Sequence, residues 1–270
     1  SVTVSTTDGG YSWSEDATPS SDLATVALAP AGAAGFTRAA LDLNQHSVMF
    51  STTTDLGKSW KNLPAFDATN LTLQNGFDVD IFSADAAGTR LIMTGWSQDG
   101  VVPRSHGGGS ALNSGAIFSS ADGGTTWVKT LPPPDVKVTQ NSTFGTTLYE
   151  VACDGATPSG HGSGGGCADG NVFAVGGSFF DTDSCGYLLR SSDAGKSWKV
   201  VLETFESNLR DLALSPTKRG HMCVAGTRVQ AQTSVVQCTT DAGATWTTRP
   251  PFPFTAGAGS GWATVSLAMQ

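Results

Sequence analysis

One eight-residue phrase occurs five times in this chain, and a repeat of that kind constrains the fold before any other feature does. The copies are Thr6 to Trp13 (TTDGGYSW), Thr53 to Trp60 (TTDLGKSW), Ser120 to Trp127 (SADGGTTW), Ser191 to Trp198 (SSDAGKSW) and Thr239 to Trp246 (TTDAGATW). Each reads Ser/Thr, any, Asp, any, Gly, any, Ser/Thr, Trp. The fixed residues are Asp8, Gly10 and Trp13; Asp55, Gly57 and Trp60; Asp122, Gly124 and Trp127; Asp193, Gly195 and Trp198; and Asp241, Gly243 and Trp246.

The residue types explain what one copy does. The aspartate accepts hydrogen bonds from backbone N–H groups two residues on, and the glycine takes the left-handed conformation that a side chain resists. The result is a tight turn. Strand-like residues precede it (Ala116-Ile117-Phe118-Ser119) and another strand starts at the tryptophan, so the turn joins antiparallel strands. The tryptophan adds a large apolar surface to pack under the turn.

This pattern resembles the Asp-box, or BNR repeat, at every key position of all five copies. Proteins bearing it include sialidases, some endoglucanases, sortilin-type receptor ectodomains and photosystem II assembly factors, nearly all β-propellers. The resemblance implies an all-β propeller in which the box aspartates are structural rather than catalytic or metal-binding.

Successive box aspartates lie about 47, 67, 71 and 48 residues apart, so the unit is about 47 residues, the size of a four-stranded blade. The two longer intervals contain Gly-rich insertions. Strands are expected at 23–29, 36–43, 47–53 and from Ser59; at 77–82, 90–96 and 116–119; at 147–151, 172–176 and 187–190; and at 209–214, 222–226 and 235–239. At the N-terminus Val2-Thr3-Val4 leads straight into a box and reads as a third strand. Residues 262–269 read as an inner strand. Joining the two ends gives one domain over 1–270 with a shared closing blade, a ring of six favoured over a seven-bladed or truncated ring.

Composition bounds the partners. The net charge of -8 argues against nucleic acid or an anionic membrane, and no apolar run of 18 residues is present to span one. The chain starts at Ser1 without a Met or a signal peptide, and reads as processed or excised.

Antiparallel blades place the box turns at one end and the long connections at the other, where binding loops on a rigid scaffold are expected. The binding candidates there are Trp96, Asp99, Arg104, His106, Phe179, Phe180, Asp181 and Asp183, with His46 and Asp67 nearby. His106 and His161 fall at opposite ends and do not form a shared metal site. Asp181-Thr-Asp183-Ser resembles the start of a calcium loop without its later Gly and Glu. No cofactor is implied beyond adventitious calcium.

The likeness to sialidases implies a cluster of arginines and a Tyr-Glu pair. Arg38, Arg90, Arg190 and Arg228 are the strand-borne supply. Tyr149 and Glu150 have the right types, but neighbours on a strand point to opposite faces and so do not pair. Photosystem assembly factors carry an arginine-rich partner surface, whereas this chain is acidic. Two sequons, at Asn70 and Asn141, fall in long loops suited to N-glycans. Of five cysteines, Cys153 is expected to pair with Cys167 and Cys223 with Cys238, leaving Cys185. The expectation is an extracellular or secreted module that binds a protein or glycan through the end opposite the boxes. A glycoside hydrolase using that end and a structural or assembly-factor propeller, the latter in a plastid lumen, are the alternatives.

Overall fold

A computed structural model describes residues 4–5, 14–15, 23–30, 36–42, 47–55, 58–67, 80–83, 91–97, 114–130, 146–154, 171–178, 185–205, 207–215, 217–228 and 233–251. All regular structure among them is β. The first sheet is a hairpin of β1 (Val4–Ser5) and β2 (Ser14–Glu15), the strands that flank the first box. The second holds β3 (Leu23–Pro30), β4 (Phe36–Asp42), β5 (Ser47–Thr53), β6 (Lys61–Asn62) and β7 (Phe66–Asp67). Next come β8 (Asp80–Ser83), β9 (Leu91–Ser97), β10 (Ser114–Ser120) and β11 (Val128–Thr130), then β12 (Thr146–Cys153), β13 (Val172–Ser178), β14 (Cys185–Ser191) and β15 (Lys199–Phe205). The last sheet is β16 (Asn208–Leu214), β17 (Met222–Arg228), β18 (Thr233–Thr239) and β19 (Thr247–Thr248).

Each four-stranded sheet runs in chain order and is antiparallel throughout. The first strands of consecutive sheets pack on one another, β3 on β8, β8 on β12 and β12 on β16, as blades arranged around an axis require. The chain is a β-propeller, and the strand positions match those expected from the sequence. The terminal residues of the proposed closing blade lie outside the described residues.

The core consists of blade-to-blade seams. Ala39, Val48 and Phe50 of the second sheet pack against Leu91, Met93, Ala116 and Phe118 of the third. Ile92 and Ile117 meet Leu148, Val151 and Tyr187, and Phe173, Val175 and Leu188 meet Leu209, Leu212 and Val224. Burying a large aliphatic side chain contributes roughly 1.5–3 kcal/mol, so these seams hold the blades in register.

Trp127, Trp198 and Trp246 belong to these seams. Trp127 stacks on Phe50 at 5.3 Å and meets Phe66 edge-on at 5.2 Å, both in the preceding blade. Trp198 joins the cluster with Ile92 and Ile117, and Trp246 packs with Val201. The described box tryptophans are largely buried, as their size and place under the turn lead one to expect. Trp198 is 8% exposed, and Trp60, Trp127 and Trp246 somewhat more.

Two corrections concern strands. Asp67, placed by sequence in a long loop, pairs with Ser47 in β7. It continues an outer strand whose ladder is interrupted at Pro64, which lacks the N–H that a ladder needs and is tolerated at an edge. The inner strands are also not regular. Register shifts fall between Leu148 and Glu150 and between Leu209 and Asp211, making Tyr149 and Arg210 the extra residues of β-bulges at matching places in consecutive blades.

Cys223 and Cys238 stand directly opposite on β17 and β18 and form a disulfide, as expected. Cys153 is also disulfide-bonded, and Cys167, its expected partner, lies outside the described residues. Cys185 is a buried thiol.

Candidate functional site

At one end of the propeller the box turns repeat the same hydrogen bonds. In the third box Asp122 Oδ1 accepts from Thr126 N at 2.8 Å and Oδ2 from the Thr126 hydroxyl at 2.7 Å. The Ser120 hydroxyl donates to Asp122 Oδ1 at 2.9 Å and accepts from Gly124 N at 2.8 Å. Asp193 with Ser191 and Ser197, and Asp241 with Thr239 and Thr245, reproduce this set. The carboxylate therefore accepts a backbone bond from four residues on, and at Asp193 also from Lys196 three residues on, not from two on as the sequence suggested. The N–H of the glycine goes instead to the leading hydroxyl.

Each of these turns has two consecutive residues in the left-handed region. The glycines Gly124, Gly195 and Gly243 have φ of 87°, 88° and 89°, and Gly123, Ala194 and Ala242 before them have 69°, 61° and 57°. The indole N–H of Trp127, Trp198 and Trp246 then donates to the carbonyl of the box glycine at 3.0–3.1 Å. Asp55 makes the same bonds to Ser59 and Thr53. Trp60 departs from the set, since its Nε1 is buried without a hydrogen-bond partner among the described residues and the Arg38 guanidinium lies 4.1 Å over its ring.

These bonds favour the ionised carboxylate. They hold Asp55 at a pKa of about 2, chiefly through the Ser59 hydroxyl, Asp122 through Thr126, and Asp241 through Thr239 and then Thr245. At Asp193 burial pushes upward, but hydrogen bonds from Ser197 and Ser191 outweigh it and the value is again about 2. A carboxylate so committed is a turn clamp, unsuited to proton transfer near neutrality.

A different chemistry gathers on the inner strands away from the boxes. The Arg210 guanidinium lies 5.1 Å from the centre of the Tyr149 ring, and Asn208 Nδ2 is 3.3 Å from the Tyr149 hydroxyl. Glu150 Oε2 accepts from the backbone N–H of Leu212 at 2.6 Å. Asn208 is 4% exposed and its Oδ1 is buried without a partner among the described residues. Tyr149, Glu150, Arg210 and Asp211 are half-buried.

This cluster overturns the expectation that Tyr149 and Glu150 face apart. A β-bulge breaks strict alternation, and both side chains reach β16 of the next blade. Sequence reasoning missed Asn208 and Arg210 altogether. No motif marks them, and only the matching bulges of two strands bring them to Tyr149.

Among the described residues, the arginines that sialidase chemistry would need do not converge. Arg38 and Arg190 lie near the box end, two residues and one residue inside their strand ends, with Arg190 Nη2 bonded to Asn171 Oδ1 at 2.9 Å. Arg228 is at the opposite end, paired with Thr233. Trp96 lies on β9 opposite Gly115. Arg90, Asp99, Arg104, His106, Phe179, Phe180, Asp181 and Asp183 lie outside the described residues, as do His46, His161, Asn70, Asn141, Gly57 and the first box with Asp8, Gly10 and Trp13.

No protein-family model and no curated protein matches this sequence. Among solved structures, a Hadza microbial sialidase is similar at a TM-score of 0.52 and 14% identity, over 84% of this chain and 46% of that one. An ancestral GH74 enzyme is similar at a TM-score of 0.52 and 14% identity, over 90% of this chain and 27% of that one. The chain thus spans less than half the length of either. At this identity the likeness extends to the propeller fold and no further.

Proposed function

We propose that this propeller is a binding module that takes a protein or glycan ligand at the end opposite the Asp-boxes. One observation carries the reading. The bulges of β12 and β16 hold Tyr149, Glu150 and Arg210 half-buried on consecutive inner strands, away from box carboxylates that are wholly committed to their own turns. Bulges re-aim side chains beside functional sites. The disulfide Cys223–Cys238 supports a secreted or extracellular setting, where such bonds persist.

The expected result of a glycan-array and peptide-array screen is saturable binding without turnover, weakened by Arg210→Ala and by Trp96→Ala. A glycoside hydrolase is the second reading, favoured by the bulge that turns both Tyr149 and Glu150 toward β16. Turnover of an arrayed glycan, abolished by Glu150→Gln or Tyr149→Phe, would replace the binding-module reading with this one.

A further inference from the structure

Three box turns rest on the sheet that precedes their own in chain order. Trp127 stacks on Phe50 of the second sheet, a Cβ added at Gly195 would meet Ser119 and Ile92 of the third, and one at Gly243 would meet Val201 of the fourth. The seat recurs at fixed places. Phe50, Ile117 and Leu188 each stand three residues before the leading hydroxyl of a box, and Ile92 and Phe173 pair with the residue just before that hydroxyl. All five are 0–2% exposed, in clusters that include Trp127, Trp198 or Trp246 of the following box.

The last sheet has the same places with different side chains. Val236 stands three residues before Thr239, and Cys223 pairs with Cys238, the residue just before Thr239, in the disulfide. Register along β17 and β18 is regular and Val224 packs against the fourth sheet, so Cys223, Val236 and Cys238 face away from that sheet. All three are half-buried, and no box tryptophan among the described residues joins them.

We propose that this face seats the chain's own first box, with Trp13 against the Cys223–Cys238 disulfide, so that the hairpin of β1 and β2 closes on β17 and β18. The third, fourth and fifth boxes occupy the second, third and fourth sheets. The second box falls to the sheet of β1 and β2, and in a closed ring the first falls to the last sheet. The hairpin has the form this needs, since β1 and β2 flank the first box as β10 and β11 flank the third. The chemistry fits too. A disulfide is apolar and polarizable, sulfur makes favourable contacts with aromatic rings, and antibody domains pack a tryptophan on a disulfide in the same way. The crosslink thereby gains a role beyond tying β17 to β18, as the floor on which the ring closes.

The test photolyses the whole chain carrying Trp13→p-benzoylphenylalanine, as an equal mixture of light and isotope-labelled protein, and maps the crosslinked peptides. Crosslinks from residue 13 to 222–225 or 235–239 within one chain are expected. Crosslinks to another sheet, or none, overturn the proposal, and crosslinks between light and labelled chains give the seat to a second copy and overturn it as well. Reduction of the native chain by a phosphine, read by alkylation and peptide mapping, checks the contact without the probe. Trp13→Ala should speed reduction of Cys223–Cys238 by about two- to tenfold, and Trp13→Phe by less. The bridge at Cys153, in another sheet, should keep its rate. An unchanged rate at Cys223–Cys238, or the same acceleration at both bridges, overturns the proposal.

Discussion

The guanidinium of Arg38 lies 4.1 Å over the indole of Trp60, in a position that other blades fill with apolar side chains. Counting inward from the paired box residue, Met93, Ala174 and Val224 occupy the matching places on β9, β13 and β17. Arg38 is 8% exposed, so its stem fills the core while its head caps the ring. Arg38→Ala removes both the stacking and the packing. It should lower stability by about 1–3 kcal/mol and shift the tryptophan emission, as read by urea unfolding followed by fluorescence; an unchanged midpoint would contradict the arrangement.

The left-handed residues give a paired prediction. Gly195→Ala should destabilise by about 1–2 kcal/mol because of φ alone. The added Cβ would meet Ser119 Cβ at 3.4 Å and nothing closer. Ala194→Gly, one residue earlier at φ 61°, should be neutral or stabilising by up to about 1 kcal/mol. Thermal melts of the two variants check the pair, and similar losses from both would remove the conformational explanation.

Much of this fold was legible in the sequence. The box spacing and the turn chemistry located the strands because each box pins the two strands beside it. Ala194 and Ala242 gave no sign of their left-handed backbone, since alanine carries no preference for it and the turn's bonds impose the strain. The Tyr149–Arg210 contact was illegible for a different reason. Alternation assumes a regular strand, and a bulge leaves no mark in composition.

Acid should unfold the chain through the box carboxylates. Their pKa of about 2 lies below the ordinary 3.8, so the unfolded chain binds more protons between those values and the folded state loses stability as pH falls through them. Stability arising from these groups is complete above about pH 4 and lost toward pH 2. Acid titration followed by circular dichroism checks this. Asp122→Asn should flatten the transition in that window, and an identical acid profile would contradict the clamp.

The Cys223–Cys238 bridge closes a 15-residue separation between adjacent strands. Replacing both cysteines by serine should cost about 3 kcal/mol, seen as a lower denaturation midpoint. A midpoint within error of the parent chain would show that the β17–β18 pairing needs no crosslink.

Close packing around β16 makes Gly226 a separate test of the inner strands. A Cβ there would collide with the carbonyl of Asn208 on the adjoining strand, at the bulge that positions Arg210. Gly226→Ala should destabilise by about 1–3 kcal/mol and weaken ligand binding more than Gly195→Ala does. Equal effects of the two on binding would detach the bulge from the site.

Ligands that engage the end opposite the boxes leave their mark in the amide hydrogen-exchange footprint of the tightest array ligand. Added protection is expected at Tyr149 to Val151 and Glu203 to Leu212, with the box turns at 120–127, 191–198 and 239–246 unchanged. Protection confined to those turns would contradict binding at that end.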